Sequence, residues 1–128
     1  MELMTNQEIF DKVAEALVKQ GKPSMNPDKS CSYYSNGNRC AVGWLMEEAT
    51  AKNLEEYYPG KDVYEIGEEN EGYFMGYDLA FLSALQCAHD NSAHKEGWMD
   101  DWREEMMQIA DDFYLDKTVF CGLFQEVF

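Results

Sequence analysis

The chain has 128 residues, 45% of them apolar and 14% aromatic, with 25 acidic against 10 basic side chains and a formal net charge of −15. That leaves room for one domain, residues 1–128, with enough apolar mass to exclude intrinsic disorder. A surface this negative repels phosphate backbones and anionic lipids, which argues against direct binding to nucleic acid or a membrane.

The charge is uneven. Residues 1–64 carry 10 acidic and 7 basic side chains, and residues 65–128 carry 15 and 3. Favoured partners therefore have a basic surface, which the field would steer in. The plainer alternative is that the charge only keeps the protein soluble. No apolar run approaches the roughly 18 residues of a membrane span. Met1–Gln7 lacks the basic and apolar regions of a signal peptide, so the expected compartment is the cytoplasm. There Cys31, Cys40, Cys87 and Cys121 are expected to be reduced, with no disulfide framework.

Thr5 and Glu8 have the spacing of a capping box, and Ile9, Phe10, Val13, Ala14, Leu17 and Val18 recur at helical spacing. Gly21 stops the pattern and Pro23 prevents its return, predicting a helix over 6–20. Residues 21–30 are turn-rich. Asn36-Gly37 lies between short β-prone runs, a hairpin signal because both residues tolerate positive φ; the short flanks allow a loop instead. Ala41–Ala49 reads as a short buried helix, with Gly43 letting a neighbouring backbone approach closely. Residues 53–76 have poor periodicity and four glycines, predicting a long loop with a short strand at Val63–Ile66. Residues 77–92 form a second helix and Trp98–Tyr114 a third, its stripe running through Trp102, Met106, Ile109 and Phe113. The apolar stretch from Val119 to Phe128 is expected to pack back on the core. The expected fold is α+β and mostly helical: three principal helices and a small β-hairpin.

Three constellations could carry chemistry. Cys31 and Cys40 flank the Asn36-Gly37 turn and, with His89 and nearby His94, offer thiolate and imidazole ligands suited to zinc. The spacing lacks a close CxxC pair, and free cysteines are often simply buried, so no metal or other cofactor is expected. Cys40 and His89, oriented by Asp90, are the minimum for nucleophilic catalysis, but nothing marks an oxyanion hole, and His89 near a helix end also suits the dipole. The expectation is a non-enzyme. Carboxylates are the third. Asp100, Asp101, Glu104, Glu105, Asp111 and Asp112 form a polar face opposite the Trp98–Trp102–Ile109 stripe, and Glu68 and Glu69 belong to a further cluster. Such rows could imitate a phosphate backbone; an ordinary solvated helix face is the alternative. Tyrosines 33, 34, 57, 58, 64, 73 and 77 fall in or beside the expected loops, where they suit recognition or cover the edges of a small core.

Several stretches resemble a group of small, uncharacterised phage and prophage proteins. They are Ile9-Phe10-Asp11-Lys12-Val13, Gln20-Gly21-Lys22-Pro23-Ser24, Cys31-Ser32-Tyr33-Tyr34, Asn36 to Leu45 with its Cys40-Ala41-Val42-Gly43 centre, and Leu82 to Asn91. The resemblance covers more than half of the chain and excludes the acidic carboxyl-terminal half. It implies a bacterial host cytoplasm and a common structural centre for Cys31, Cys40, His89 and Asp90, without implying a reaction. The expected function is an anti-CRISPR-like inhibitor, whose acidic residues 68, 69, 100, 101, 104, 105, 111 and 112 occupy the basic, nucleic-acid-binding surface of a host defence complex. The alternative is a small-molecule or metal-binding protein centred on Cys31, Cys40 and His89, its pocket lined by tyrosines and Arg39.

Overall fold

A computed structural model describes residues 4–26 and 32–124, the side chain of Glu71 excepted. The order is α1 (Asn6–Gln20), a 3₁₀ turn (Gly43–Leu45), α2 (Glu48–Tyr57), α3 (Val63–Glu69), a second 3₁₀ turn (Glu71–Tyr73), α4 (Leu79–Ala93), α5 (Trp98–Asp112) and α6 (Thr118–Gly122).

Helix α1 follows from local chemistry alone. The Thr5 hydroxyl accepts from the Glu8 backbone N–H at 3.1 Å while the Glu8 carboxylate accepts from the Thr5 N–H at 3.0 Å. Gly21 closes the helix at φ 73°, a left-handed conformation that a β-carbon would disfavour. The buried face carries Ile9, Phe10, Val13, Ala14 and Leu17.

The α+β expectation fails: the described fold is all-helical. Around Asn36-Gly37 the turn itself is as expected, with φ of 51° and 85° at the two residues and an antiparallel bridge between Ser35 and Asn38. No ladder extends from it among the described residues. Gln20 takes up the Arg39 backbone on both sides, donating to its carbonyl and accepting from its N–H, so that strand edge is already spent.

Residues 53–76 are not a loop with a strand. Asp62 and Glu65 form a second capping box, and Val63 and Ile66, three apart, are buried on the inner face of the resulting helix α3. The segment Ala41–Ala49 divides at extended Met46 into the first 3₁₀ turn and the start of α2. Gly43 does permit a close approach: a β-carbon there would lie 2.3 Å from the Tyr33 carbonyl oxygen.

The three 15-residue helices carry most of the core. Helices α4 and α5 are joined through residues 94–97 and pack along each other, α3 lies on α4, and α1 rests on the first 3₁₀ turn and on α6. Phe120 of α6 closes one end, its ring 5.5 Å from that of Phe10 and 5.8 Å from that of Trp102. The expected return of the chain onto the core is thus seen as far as Phe124; residues 125–128 lie outside the described residues. Among the described residues, no helix is long and apolar enough to cross a membrane.

Candidate functional site

Helix α4 turns a mixed face inward: Leu82, Leu85, Gln86, His89 and Ser92 are all buried. Burying an imidazole requires partners for both ring nitrogens. The Ser24 backbone N–H donates to His89 Nε2 at 3.0 Å. The ring hydrogen then belongs on Nδ1, which faces Asp90 Oδ1 at 2.9 Å. That oxygen also accepts from Gln86 Nε2 at 2.9 Å, and Gln86 Oε1 accepts from the Val42 N–H at 3.2 Å. The Ser24 hydroxyl donates to the Asn38 carbonyl at 3.2 Å. One helical face thereby fastens two separate loops.

Of the sequence-derived centre, His89 and Asp90 are brought together. Cys40 is buried but bonds elsewhere, its sulfur accepting from the Gly43 N–H at 3.4 Å. Burial pushes its thiol up to about 12, so it stays protonated at neutral pH. A nucleophile needs a base in reach and a thiolate to offer. Buried as it is, Cys40 has no thiolate to offer at neutral pH. A metal at His89 would have to displace the Ser24 or the Asp90 hydrogen bond. Among the described residues no group of three or more Cys, His, Asp or Glu is placed to hold a metal. Cys31 lies outside the described residues.

Beside this network runs a cleft of about 270 Å³, lined by Ser32, Tyr33, Gly60, Lys61, Asp62, Gln86 and Asp90. The Tyr33 hydroxyl donates to the Lys61 carbonyl at 2.6 Å, and its backbone N–H donates to Glu55 at 3.0 Å. Burial first, and then negative neighbours including Asp90, Asp62 and Glu55, hold this phenol well above the usual tyrosine range. Two carboxylates, Asp62 and Asp90, line the cleft with one amine, that of Lys61, which pairs with Glu65 at 3.4 Å. Arg39 does not line it. Its guanidinium lies 4.6 Å from the centre of the Trp44 ring and 5.8 Å from that of Tyr34, with Nη1 donating to the Met46 carbonyl at 3.0 Å.

Gln20 is a residue that the sequence did not signal. Its Oε1 accepts from the Arg39 N–H and from Trp44 Nε1, both at 2.9 Å. Its Nε2 donates to the carbonyls of Lys22 and Arg39. A glutamine before a terminating glycine reads as an ordinary last-turn residue, so nothing in the pattern pointed to it. Gln86 lies mid-helix and Ser24 in a turn-rich stretch; both fall within the resembling stretches, but no local pattern gives either its partners.

The carboxylates of α5 are arranged as its periodicity implied. Trp102, Met106, Ile109 and Ala110 are buried, while Asp100, Glu104, Asp111 and Asp112 are exposed and Asp101 and Glu105 partly so. Ion pairs reach two of the six: Lys95 meets Asp101 at 3.2 Å and Lys117 meets Asp111 at 2.6 Å. Asp112 accepts from Gln108, and Glu105 from the Ser92 hydroxyl at 3.3 Å. The helix's single basic residue, Arg103, sets its guanidinium 4.5 Å from the centre of the Phe124 ring. Glu68 and Glu69 do not belong to this row. They are exposed on α3, whose main packing partners are α4 and the second 3₁₀ turn.

Comparison of the chain with models of protein families, with curated proteins and with solved structures gives no match.

Proposed function

We propose that the protein works by binding, presenting the outward face of α5 to a basic surface on another macromolecule. One observation carries this reading: six carboxylates line a single 15-residue helix against one guanidinium, which is turned onto an aromatic ring. With a rise of about 1.5 Å per residue, and with Lys95 and Lys117 pairing two of the six carboxylates, the face holds about one net negative charge per 7–8 Å of its length. Duplex DNA carries one per roughly 1.7 Å and a single strand one per roughly 3.4 Å. The row is sparser than either, so what it offers is a line of charge of the right sign, and the partner suited to it is a basic groove that holds a nucleic-acid strand. Within that class, an inhibitor occupying the nucleic-acid channel of a host defence complex remains our specific proposal.

Pull-down from a bacterial lysate at low and moderate salt, with the quadruple variant Asp100→Lys, Asp101→Lys, Glu104→Lys, Glu105→Lys as control, tests it. A salt-sensitive partner that single-stranded nucleic acid displaces, and that the variant loses, is the expected result. Undiminished capture by the variant refutes the role of α5.

A second reading, a small cationic ligand in the Tyr33–Asp62–Asp90 cleft, is favoured by the two carboxylates in its lining. Titration with an alkyl diamine, followed by native mass spectrometry, checks it. A retained one-to-one complex that Asp90→Asn abolishes supports the cleft, and an apo mass at millimolar diamine sinks it.

A further inference from the structure

At the corner between α3 and α4 the surface changes character. A groove of about 240 Å³ is lined by Gly67, Phe74, Met75, Tyr77 and Leu79. Met75 is 67% exposed and Tyr64 on α3 is 45% exposed. The floor depends on a missing side chain: a β-carbon on Gly67 would lie 3.4 Å from Leu79 Cδ1 and 4.0 Å from Phe74 Cδ2. Leaving a thioether and a phenol ring in water beside an open apolar groove forgoes hydrophobic stabilisation that a partner would restore.

Acidic residues flank this lining. Asp78 lies between Tyr77 and Leu79, where it also accepts from the Phe81 N–H to cap α4, and Glu68 follows Gly67 on α3; both are exposed. Among the described residues neither has an ion pair, whereas Glu65 on the same helix as Glu68 is matched by Lys61. We propose that this groove docks a basic amphipathic segment of another protein. An apolar side chain would sit over Gly67 between Phe74 and Leu79, and lysines or arginines would meet Asp78 and Glu68.

Charge complementarity selects this occupant over its rivals. A second copy of the chain would bring its own −15 and the same carboxylates to the contact. Anionic headgroups would meet the rim with like charge. A cationic helix with an apolar stripe satisfies both the groove and its rim, and a flexible methionine at the lip adapts to more than one anchoring side chain. The inference shares with the α5 reading only the basic character of the partner. It uses a different helix, and the two can fail separately.

The test is isothermal titration of the full chain with a synthetic helical peptide of leucines spaced i, i+3, i+4, i+7 among lysines. Two control peptides accompany it, one with serine for leucine and one with glutamate for lysine. The leucine–lysine peptide should bind one to one, and both controls should lose that binding. Met75→Ser should weaken binding about tenfold, the loss expected from one partly buried apolar anchor. Gly67→Ala, which suits a helix and raises the groove floor, should weaken it as well, while Glu15→Gln with Glu56→Gln, exposed carboxylates on α1 and α2, should leave it unchanged. Equal binding of the serine control, or indifference to both groove variants, overturns the proposal. So does a concentration-dependent dimer that Met75→Ser abolishes, which would make the occupant a second copy.

Discussion

Replacing Gln20 by alanine should cost far more than a half-exposed glutamine at a helix end normally does. The side chain uses both lone pairs of its oxygen and two donors of its amide, on Arg39, Trp44 and Lys22. Alanine strands the Arg39 N–H, the Arg39 carbonyl and Trp44 Nε1 in part-buried positions; the Lys22 carbonyl is exposed and loses little. An unsatisfied buried polar group costs about 1–3 kcal/mol, and partial access to water trims each of the three, giving about 2–4 kcal/mol in all. With an unfolding entropy of about 2.1 cal/mol/K per residue, that lowers the melting midpoint of a chain this long by about 7–15 °C. Thermal and urea denaturation followed by circular dichroism measure the total. A double-mutant cycle of Gln20→Ala with Trp44→Phe isolates one bond, for which a coupling of about 1 kcal/mol is expected. Gln20→Glu keeps the acceptor but sets a carboxylate oxygen against the Lys22 and Arg39 carbonyls, so at neutral pH it should cost at least as much as alanine. A total below about 1 kcal/mol, or an additive cycle, would refute the argument that this side chain fastens the Arg39 segment to α1.

His89→Leu should destabilise by about 2–4 kcal/mol, because it strands the buried Ser24 N–H and loosens Asp90; chemical denaturation reads the loss. Thiol titration of the native protein with mass mapping should modify exposed Cys87 and Cys121 quickly and spare Cys40, which burial both hides and keeps protonated. Two carboxylates should respond to pH with opposite signs. Burial, aided by Asp116 and Glu15, raises Asp11 above the ordinary aspartate value of 3.8, so its charge opposes folding at neutral pH. Asp11→Asn should therefore raise the melting midpoint at pH 7, and the gain should fade as pH falls toward 3.8. Asp116 is held below 3.8 by hydrogen bonds from Thr118, so it stabilises the fold above that value and ceases to as pH drops through its lower folded value. Asp116→Asn should be destabilising at pH 7 and neutral in strong acid, as measured by melting across the range.

Where the sequence spoke through short-range rules, it spoke well. The Thr5 box, the Gly21 stop and the apolar rows of α4 and α5 each involve groups within a few residues of one another, so pattern and structure coincide. The reading of residues 53–76 rests on the β-prone Val63, Tyr64 and Ile66 and on four glycines, and misses the Asp62–Glu65 spacing that caps α3. Asn36-Gly37 shows the opposite error: the turn forms, and its extension into a hairpin does not. That decision rests with Gln20, 19 residues from Arg39. The same distance problem hid the site chemistry. Nothing local reveals that His89 serves the backbone of Ser24, 65 residues away, instead of a nearby cysteine.

Gln7 and Asp116, 109 residues apart, exchange two hydrogen bonds: Gln7 Nε2 donates to the Asp116 carbonyl at 2.9 Å, and the Asp116 N–H donates to Gln7 Oε1 at 2.8 Å. During synthesis, then, the first helix emerges shortly before the first 3₁₀ turn on which it rests and long before α6, its last partner. At a ribosomal rate of about 5–20 residues per second, Phe10 waits about 5–20 s for Phe120 to leave the tunnel. Through that interval the nascent chain shows a greasy stripe to the cell. A chain ending before α6 would leave the Phe10 and Trp102 rings without their Phe120 cover, and apolar surface exposed in that way favours aggregation.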